Sequence, residues 1–131
     1  MKFQKNGTTI EPDLREIVYT YGMKSVGDQE VWQWMLDKYK EESNAQEKLK
    51  LLRGLTAINE PWILAYLLEL AKNDTIIRSQ DYFTLLTYMS WNRVGEPIVW
   101  DFVRRVSFFL ALQTKFTLEV IVPTYIICIW T

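Results

Sequence analysis

"VGDQEVWQWM" occupies Val26–Met35, and "VGEPIVWDFV" occupies Val94–Val103. In both, Val-Gly leads into an acidic residue and then a bulky apolar pair: Asp28 before Val31-Trp32, Glu96 before Val99-Trp100. Trp32, Met35, Leu36 and Tyr39 fall at i, i+3, i+4 and i+7, which is one face of a helix. Val99, Phe102, Val103 and Val106 repeat that spacing. The duplicated phrase therefore predicts two equivalent helices in a chain that uses one structural unit more than once.

The same period recurs outward from these two helices. Leu14, Ile17, Val18 and Tyr21 form a stripe, as do Tyr82, Leu85, Leu86 and Met89, while Ala45, Leu49 and Leu52 give another. Pro61–Ala71, "PWILAYLLELA", is apolar nearly all round, which predicts the most buried helix. Ser43 and Asn44 precede a helix, with Gln46 and Glu47 three residues after each, a capping box in either register. Pro12, Pro61 and Pro97 sit near helix starts, where a missing N–H costs nothing. Gly22, Gly27 and Gly95 read as breaks. No alternating β-branched run persists through the first 105 positions, so strands are not expected there. Three αα-hairpins then begin near residues 12, 45 and 79, roughly 33–34 residues apart. The predicted architecture is an all-α, HEAT- or armadillo-like α-solenoid of about three αα-hairpins, each burying its apolar face against its neighbours.

Composition narrows the chemistry. The 131 residues suffice for one ordinary domain, 49% hydrophobic and 15% aromatic with six Trp. Net charge is −1, so no basic field attracts nucleic acid, and no nucleic-acid partner is expected. There is no His, and Cys128 is the one Cys. No Ser-His-Asp triad, His-Cys pair or His-ligated zinc site can be built from these residues alone, so no catalytic, cofactor-binding or metal residue is assigned. The first residues, "MKFQKNGTTIEPD", lack the apolar core of a signal peptide, and no run reaches the length of a membrane span. After Arg105 the only charges are Lys115 and Glu119, and the chain ends "LEVIVPTYIICIWT". The expected division is a helical-repeat domain over 1–105 and a divergent, irregular apolar tail over 106–131. That tail reads equally as a buried strand, a sticky end or a sequence never selected to fold.

Several side chains stand out as site candidates. Asn6-Gly7-Thr8 and Asn73-Asp74-Thr75 are N-x-Thr triplets in predicted loops, making Asn6 and Asn73 candidate glycosylation sites. Arg104-Arg105 is either a grip for a carboxylate or phosphate, or plain helix surface. The Trp set lines a peptide groove or packs between hairpins. Trp34 and Trp91 fall off the main stripes and are the surface or groove candidates, together with Arg104 and Arg105. Glu41-Glu42, and Asp28 with Glu30, suggest a cation site, but acids are favoured in a helix's first turn and the pairs read first as solvated helix ends.

Taken in order, these words resemble a known family. "NGTTIEPDLREIVYTYGM" is similar to the stretch after the catalytic region of the M1 zinc aminopeptidases, in their C-terminal helical domain. The matching pattern is Pro12-Asp13-Leu14-Arg15 followed by Val18-Tyr19. Ala45–Leu55, Glu60–Ala71, Ile77–Asp81 and Gly95–Val103 continue the match in order and spacing, so the resemblance covers about residues 6–105. Tyr21-Gly22-Met23 and Ala45-Gln46-Glu47-Lys48 look closest to the glutamyl aminopeptidase branch, with the alanyl and laeverin branches next. The resemblance implies a solenoid bent over a peptide chamber, limiting access and holding distal parts of the peptide. It also implies a catalytic domain of the same family as partner, a zinc ion held there, frequent homodimers, and a place on the extracellular side of the plasma membrane. His-Glu-x-x-His and Gly-x-Met-Glu-Asn, which carry the family's zinc and peptide N-terminus chemistry, are absent here, and no catalytic residue carries over.

Two functions are therefore expected. One is a fragment of a membrane metalloaminopeptidase, enclosing the peptide chamber without being catalytic by itself. The alternative is a stand-alone helical-repeat interaction module that binds a partner through exposed hairpin faces.

Overall fold

The computed structural model describes residues 10–111, with side chains as far as Val106. Six α-helices follow in order: α1 (Pro12–Val26), α2 (Gln29–Glu41), α3 (Ala45–Leu55), α4 (Pro61–Leu70), α5 (Tyr82–Ser90) and α6 (Gly95–Ala111), with a 3-10 turn at Ser79–Asp81 before α5. No strand occurs among the described residues, so the all-α expectation holds. Residues 112–131, most of the expected tail, lie outside the described residues.

Local signals set most helix ends. Pro12 and Pro61 occupy first-turn positions of α1 and α4. Asp28 caps α2 by accepting from Val31 N at 2.9 Å, and Asn44 caps α3 by accepting from Gln46 N and Glu47 N. The capping box stays half closed: Glu42, not Glu47, accepts from the amides of Ser43 and Asn44. Glu47 is committed elsewhere. The Val-Gly of the duplicated phrase also gains a reason. A Cβ at Gly27 would strike the carbonyl oxygen of Met23, and one at Gly95 that of Met89. Only glycine lets the chain turn this closely on the preceding helix. Gly22, by contrast, breaks nothing; it is a buried residue inside α1.

α3 is the hub. It packs against α1, α2 and α5, while α6 packs against α5 and α4. Trp32 and Tyr66 meet at 6.1 Å between ring centroids, joining α2 to α4. Odd-numbered helices thus form one layer and even-numbered helices the other. The core is continuous through Trp32, Met35, Leu36, Tyr39, Leu52, Leu55, Leu64, Leu67, Leu85 and Met89, each fully buried aliphatic side chain contributing about 1.5–3 kcal/mol. Trp32 Nε1 donates to Leu55 O at 3.1 Å, so the indole is buried without an orphaned donor.

Two burial expectations are corrected. On α1, Leu14, Ile17 and Tyr21 are 50%, 54% and 67% exposed. The helix instead buries Gly22 and Met23 and brings Tyr19 against Gly54 of α3. A glycine on α3 permits a close helix approach that a count of apolar residues does not register. α4 is not buried all round either. Ile63, Leu64, Leu67 and Leu68 face the core, whereas Trp62 and Tyr66 are 55% and 48% exposed. The array has two layers only, so α4 has one covered side.

Candidate functional site

Where the ends of α1, α3 and α5 converge, they leave a cleft of about 320 Å³. α1 contributes Thr20, Tyr21 and Lys24, α3 and its following turn contribute Arg53, Thr56, Ala57 and Asn59, and α5 with its turn contributes Tyr88, Trp91, Asn92 and Arg93. Arg53 lies between Leu52 and Gly54, in an otherwise apolar turn of α3. Its aliphatic stem follows the helix surface and its guanidinium reaches the cleft. The guanidinium carbon stands 4.5 Å from the Trp91 ring centroid and 5.2 Å from that of Tyr88. The two rings are themselves 5.4 Å apart, tilted by 46°. Such cation–π contacts contribute about 0.5–2 kcal/mol each and hold the cation beside the two rings.

The cleft floor is rigid. Asn92 Nδ2 donates to Thr56 O at 2.9 Å and Ile58 O at 2.7 Å, and Asn92 Oδ1 accepts from Val94 N at 3.0 Å. Asn59 Nδ2 donates to Lys24 O at 3.0 Å, tying α1 to the turn after α3. Thr20 Oγ1 is buried and has no hydrogen-bond partner among the described residues. Burial pushes the Tyr88 hydroxyl pKa up, against the opposing charge of Arg53. Among the described residues, Lys24, Arg53 and Arg93 line the cleft and no carboxylate does. Glu16 reaches Arg53 from outside, Oε1 to Nη1 at 3.4 Å. The arrangement suits an anionic group attached to an apolar or planar body.

A second cleft, about 230 Å³, lies where α1, α2 and α3 meet and includes Arg15, Tyr19, Trp34, Lys38, Glu42 and Glu47. Its charges are already engaged: Lys38 pairs with Glu41, and Glu42 accepts from the amides of Ser43 and Asn44. Glu47 accepts from Arg15 Nη1 at 3.1 Å and from Lys50 Nζ at 2.9 Å. Desolvation alone would raise the Glu47 pKa, but the hydrogen bonds and charges of Lys50 and Arg15 outweigh it and hold the carboxyl below 4.5. This cleft is a structural clamp rather than an open receptor.

The four groove candidates from the sequence therefore separate. Trp91 lines the cationic cleft and Trp34 the clamp. Arg104 and Arg105 are exposed on α6, where Asp101 accepts from Arg104 Nη2 at 2.7 Å through its carboxylate and from Arg105 Nε at 3.3 Å through its carbonyl. They are in neither cleft. Arg53 was not singled out by periodicity; the one available signal was a cation set inside a leucine run. Asn73 is exposed in the turn after α4, and Asn6 lies outside the described residues.

A zinc site does not fit these residues. The chain has no His, and no group of three His, Cys, Asp or Glu side chains among the described residues is placed to hold a metal ion. No helix among them is long and apolar enough to cross a membrane.

Known aminopeptidases resemble this chain over about three quarters of its length. The chain is 43% identical over 99 residues to aminopeptidase A of Gloydius brevicauda, covering 76% of this chain and 10% of that protein. It is 39% identical over 100 residues to the human glutamyl aminopeptidase, again 76% and 10%. Aminopeptidase Ey of Gallus gallus is 35% identical over 95 residues, covering 72% and 10%. The chain thus spans about a tenth of the length of the curated relatives it matches. Residues 1–128 match the sequence model of the ERAP1-like C-terminal domain, and it is to this domain family, in its glutamyl aminopeptidase branch of M1, that the chain belongs.

Proposed function

We propose that this chain is part of the C-terminal domain of a glutamyl-type zinc aminopeptidase, enclosing the chamber in which peptides lose their N-terminal residues. The carrying observation is the identity to glutamyl aminopeptidases, 39% to 43% for the relatives above. The zinc and the catalytic groups belong to an upstream domain, which is this chain's immediate partner. The cationic cleft takes the anionic distal part of a bound peptide, with Arg53 as its principal grip and Trp91 as its wall. The whole protein lies on the extracellular side of the plasma membrane and forms homodimers, as the resemblance implies. Residues 1–105 are the repeat domain and 106–131 a divergent tail, a division that rests on the loss of charge after Arg105 and against which stands the family match running to residue 128.

Peptide mass spectrometry directed at residues 24–50 of the endogenous product tests this reading. A product several times heavier than the 15.6 kDa of this chain is expected. A product of that smaller mass overturns it and favours the second reading, a helical-repeat interaction module. The exposed side chains of Leu14, Ile17 and Tyr21 support that alternative, since a partner's apolar face fits them. The purified chain is expected to show no turnover of glutamyl or alanyl nitroanilides with zinc added.

A further inference from the structure

The turn leaving α4 carries Asn73-Asp74-Thr75, and all three residues are exposed. Asn73 Oδ1 accepts twice from Thr75, from its N at 3.0 Å and its Oγ1 at 2.7 Å. Among the described residues Asn73 Nδ2 donates to no protein acceptor, so it is free. The turn beneath is fixed: Asn73 O accepts from the amides of Ile76 and Ile77, and Ile77 is completely buried. Donation into Oδ1 draws electron density from the amide and makes its N–H more acidic. A bulky group on Nδ2 would extend into solvent and displace no core side chain.

The neighbourhood gives such a group a use. Trp62, Tyr66 and Glu69 lie on the exposed side of α4, and Asn73 follows Glu69 by one further step of four, just past the helix end. The aromatic pair is the apolar part of that side. A hydrophilic cover rooted at Asn73 would lower its tendency to associate.

We propose that Asn73 carries an N-linked glycan. Nδ2 attacks the anomeric carbon of an oligosaccharide presented on a lipid diphosphate by a transferase. The new N–C bond forms as the C–O bond to the diphosphate breaks. The lipid diphosphate leaves with the bonding electron pair, and the amide proton passes to a base of the transferase. No electrons are gained or lost. The modification rests on the extracellular placement proposed above, which the test imposes so that the acceptor is read by itself.

The full chain, directed into the secretory lumen by a cleavable leader, is isolated from the protease-protected lumenal fraction. Treatment with peptide-N-glycosidase and mass spectrometry of the Asn73–Arg78 peptide then read the site. Asn73 is expected to be occupied, with one gel-mobility step lost in Asn73→Gln and in Thr75→Ala and restored in Thr75→Ser. Bare Asn73 in lumenal chains overturns the proposal, and so does a Thr75→Ala variant that keeps the step. Occupancy in this experiment together with a bare site on the endogenous protein would also overturn the proposal, and would trace its failure to the extracellular placement and not to the acceptor.

Discussion

The hydroxyl of Tyr39, on α2, donates to Asp81 Oδ2 at 3.3 Å, 42 residues further along the chain. Arg78 donates to the same oxygen at 2.7 Å, and Lys48 stands 4.7 Å above the Tyr39 ring. The contact pins the 3-10 turn before α5 onto α2. Tyr39→Phe removes one buried hydrogen bond while Arg78 still serves Asp81, so a loss of about 1–2 kcal/mol is expected in urea unfolding. Burial first, and the Asp81 charge second, push the Tyr39 pKa up from 10.0 to about 12, with Arg78 opposing. The unfolded chain therefore releases this proton before the folded chain does. Stability should fall as pH rises from about 10 towards 12, and Tyr39→Phe should flatten that fall. An unchanged alkaline slope in the variant would sink this assignment.

Acid acts on a different joint. Glu47 sits between Arg15 of α1 and Lys50 of its own helix, and Lys50 Nζ also donates to Pro12 O at 2.9 Å. Because its folded pKa is depressed, its contribution is present above the ordinary carboxylate range and lost as pH falls through and below about 4.5. Glu47→Gln should cost about 1–3 kcal/mol near neutral pH. It should also remove part of the acid dependence, read by circular dichroism across a pH series.

The approach of α1 to α3 depends on a missing side chain. A Cβ at Gly54 would lie 2.5 Å from Met35 Sδ and 2.9 Å from Tyr19 Cβ. The thioether can swing aside, but Tyr19 Cβ is fixed to the α1 backbone. Gly54→Ala should therefore cost about 1–3 kcal/mol despite its better helix propensity, measured as a lower unfolding midpoint. A stabilised variant would mean that α1 shifts freely.

Trp91 offers a direct readout of the cationic cleft. Its emission should change on titration with an acidic peptide. Arg53→Ala should weaken that binding by roughly five- to thirty-fold, equivalent to about 1–2 kcal/mol. Arg53→Lys should recover only part of it, because an ammonium lacks the planar, five-donor guanidinium that faces both rings. Equal binding by all three proteins would remove the cleft from consideration as a receptor.

Exposed apolar positions on α1 predict the opposite behaviour. Ile17→Ser and Tyr21→Ser should change stability by no more than about 0.5 kcal/mol, since both side chains already face water. Soluble yield should rise. A large loss of stability in either would show that the stripe is covered in solution.

The sequence exposed the helices more faithfully than their orientations. Trp32, Met35, Leu36 and Tyr39 form the buried side of α2 as their spacing predicts, and Leu85, Leu86 and Met89 do so on α5. Periodicity identifies an apolar side but not which neighbour is present to cover it. Leu14 and Ile17 fail for that reason, because α1 turns towards Gly54 instead. Trp32 and Trp100 make the same point. They hold the same place in the duplicated phrase, yet Trp32 is 2% exposed, beneath Tyr66 and the end of α3, and Trp100 is 39% exposed. The cleft was half legible. Trp91 stood out as an aromatic off its stripe, whereas Arg53 acquires its role only when α3 and α5 meet.

The hub position of α3 makes rigidity a graded property along this chain. Opening α3 disrupts its packing against α1, α2 and α5 together, while α1 can lift away from α3 with less of the core disturbed. Amide protons around Leu52 should therefore be the last to exchange with solvent, and protection should fade outward towards Pro12 in one direction and the far end of α6 in the other. Among the described helices, α3 would hold the others as a central knot holds a rope.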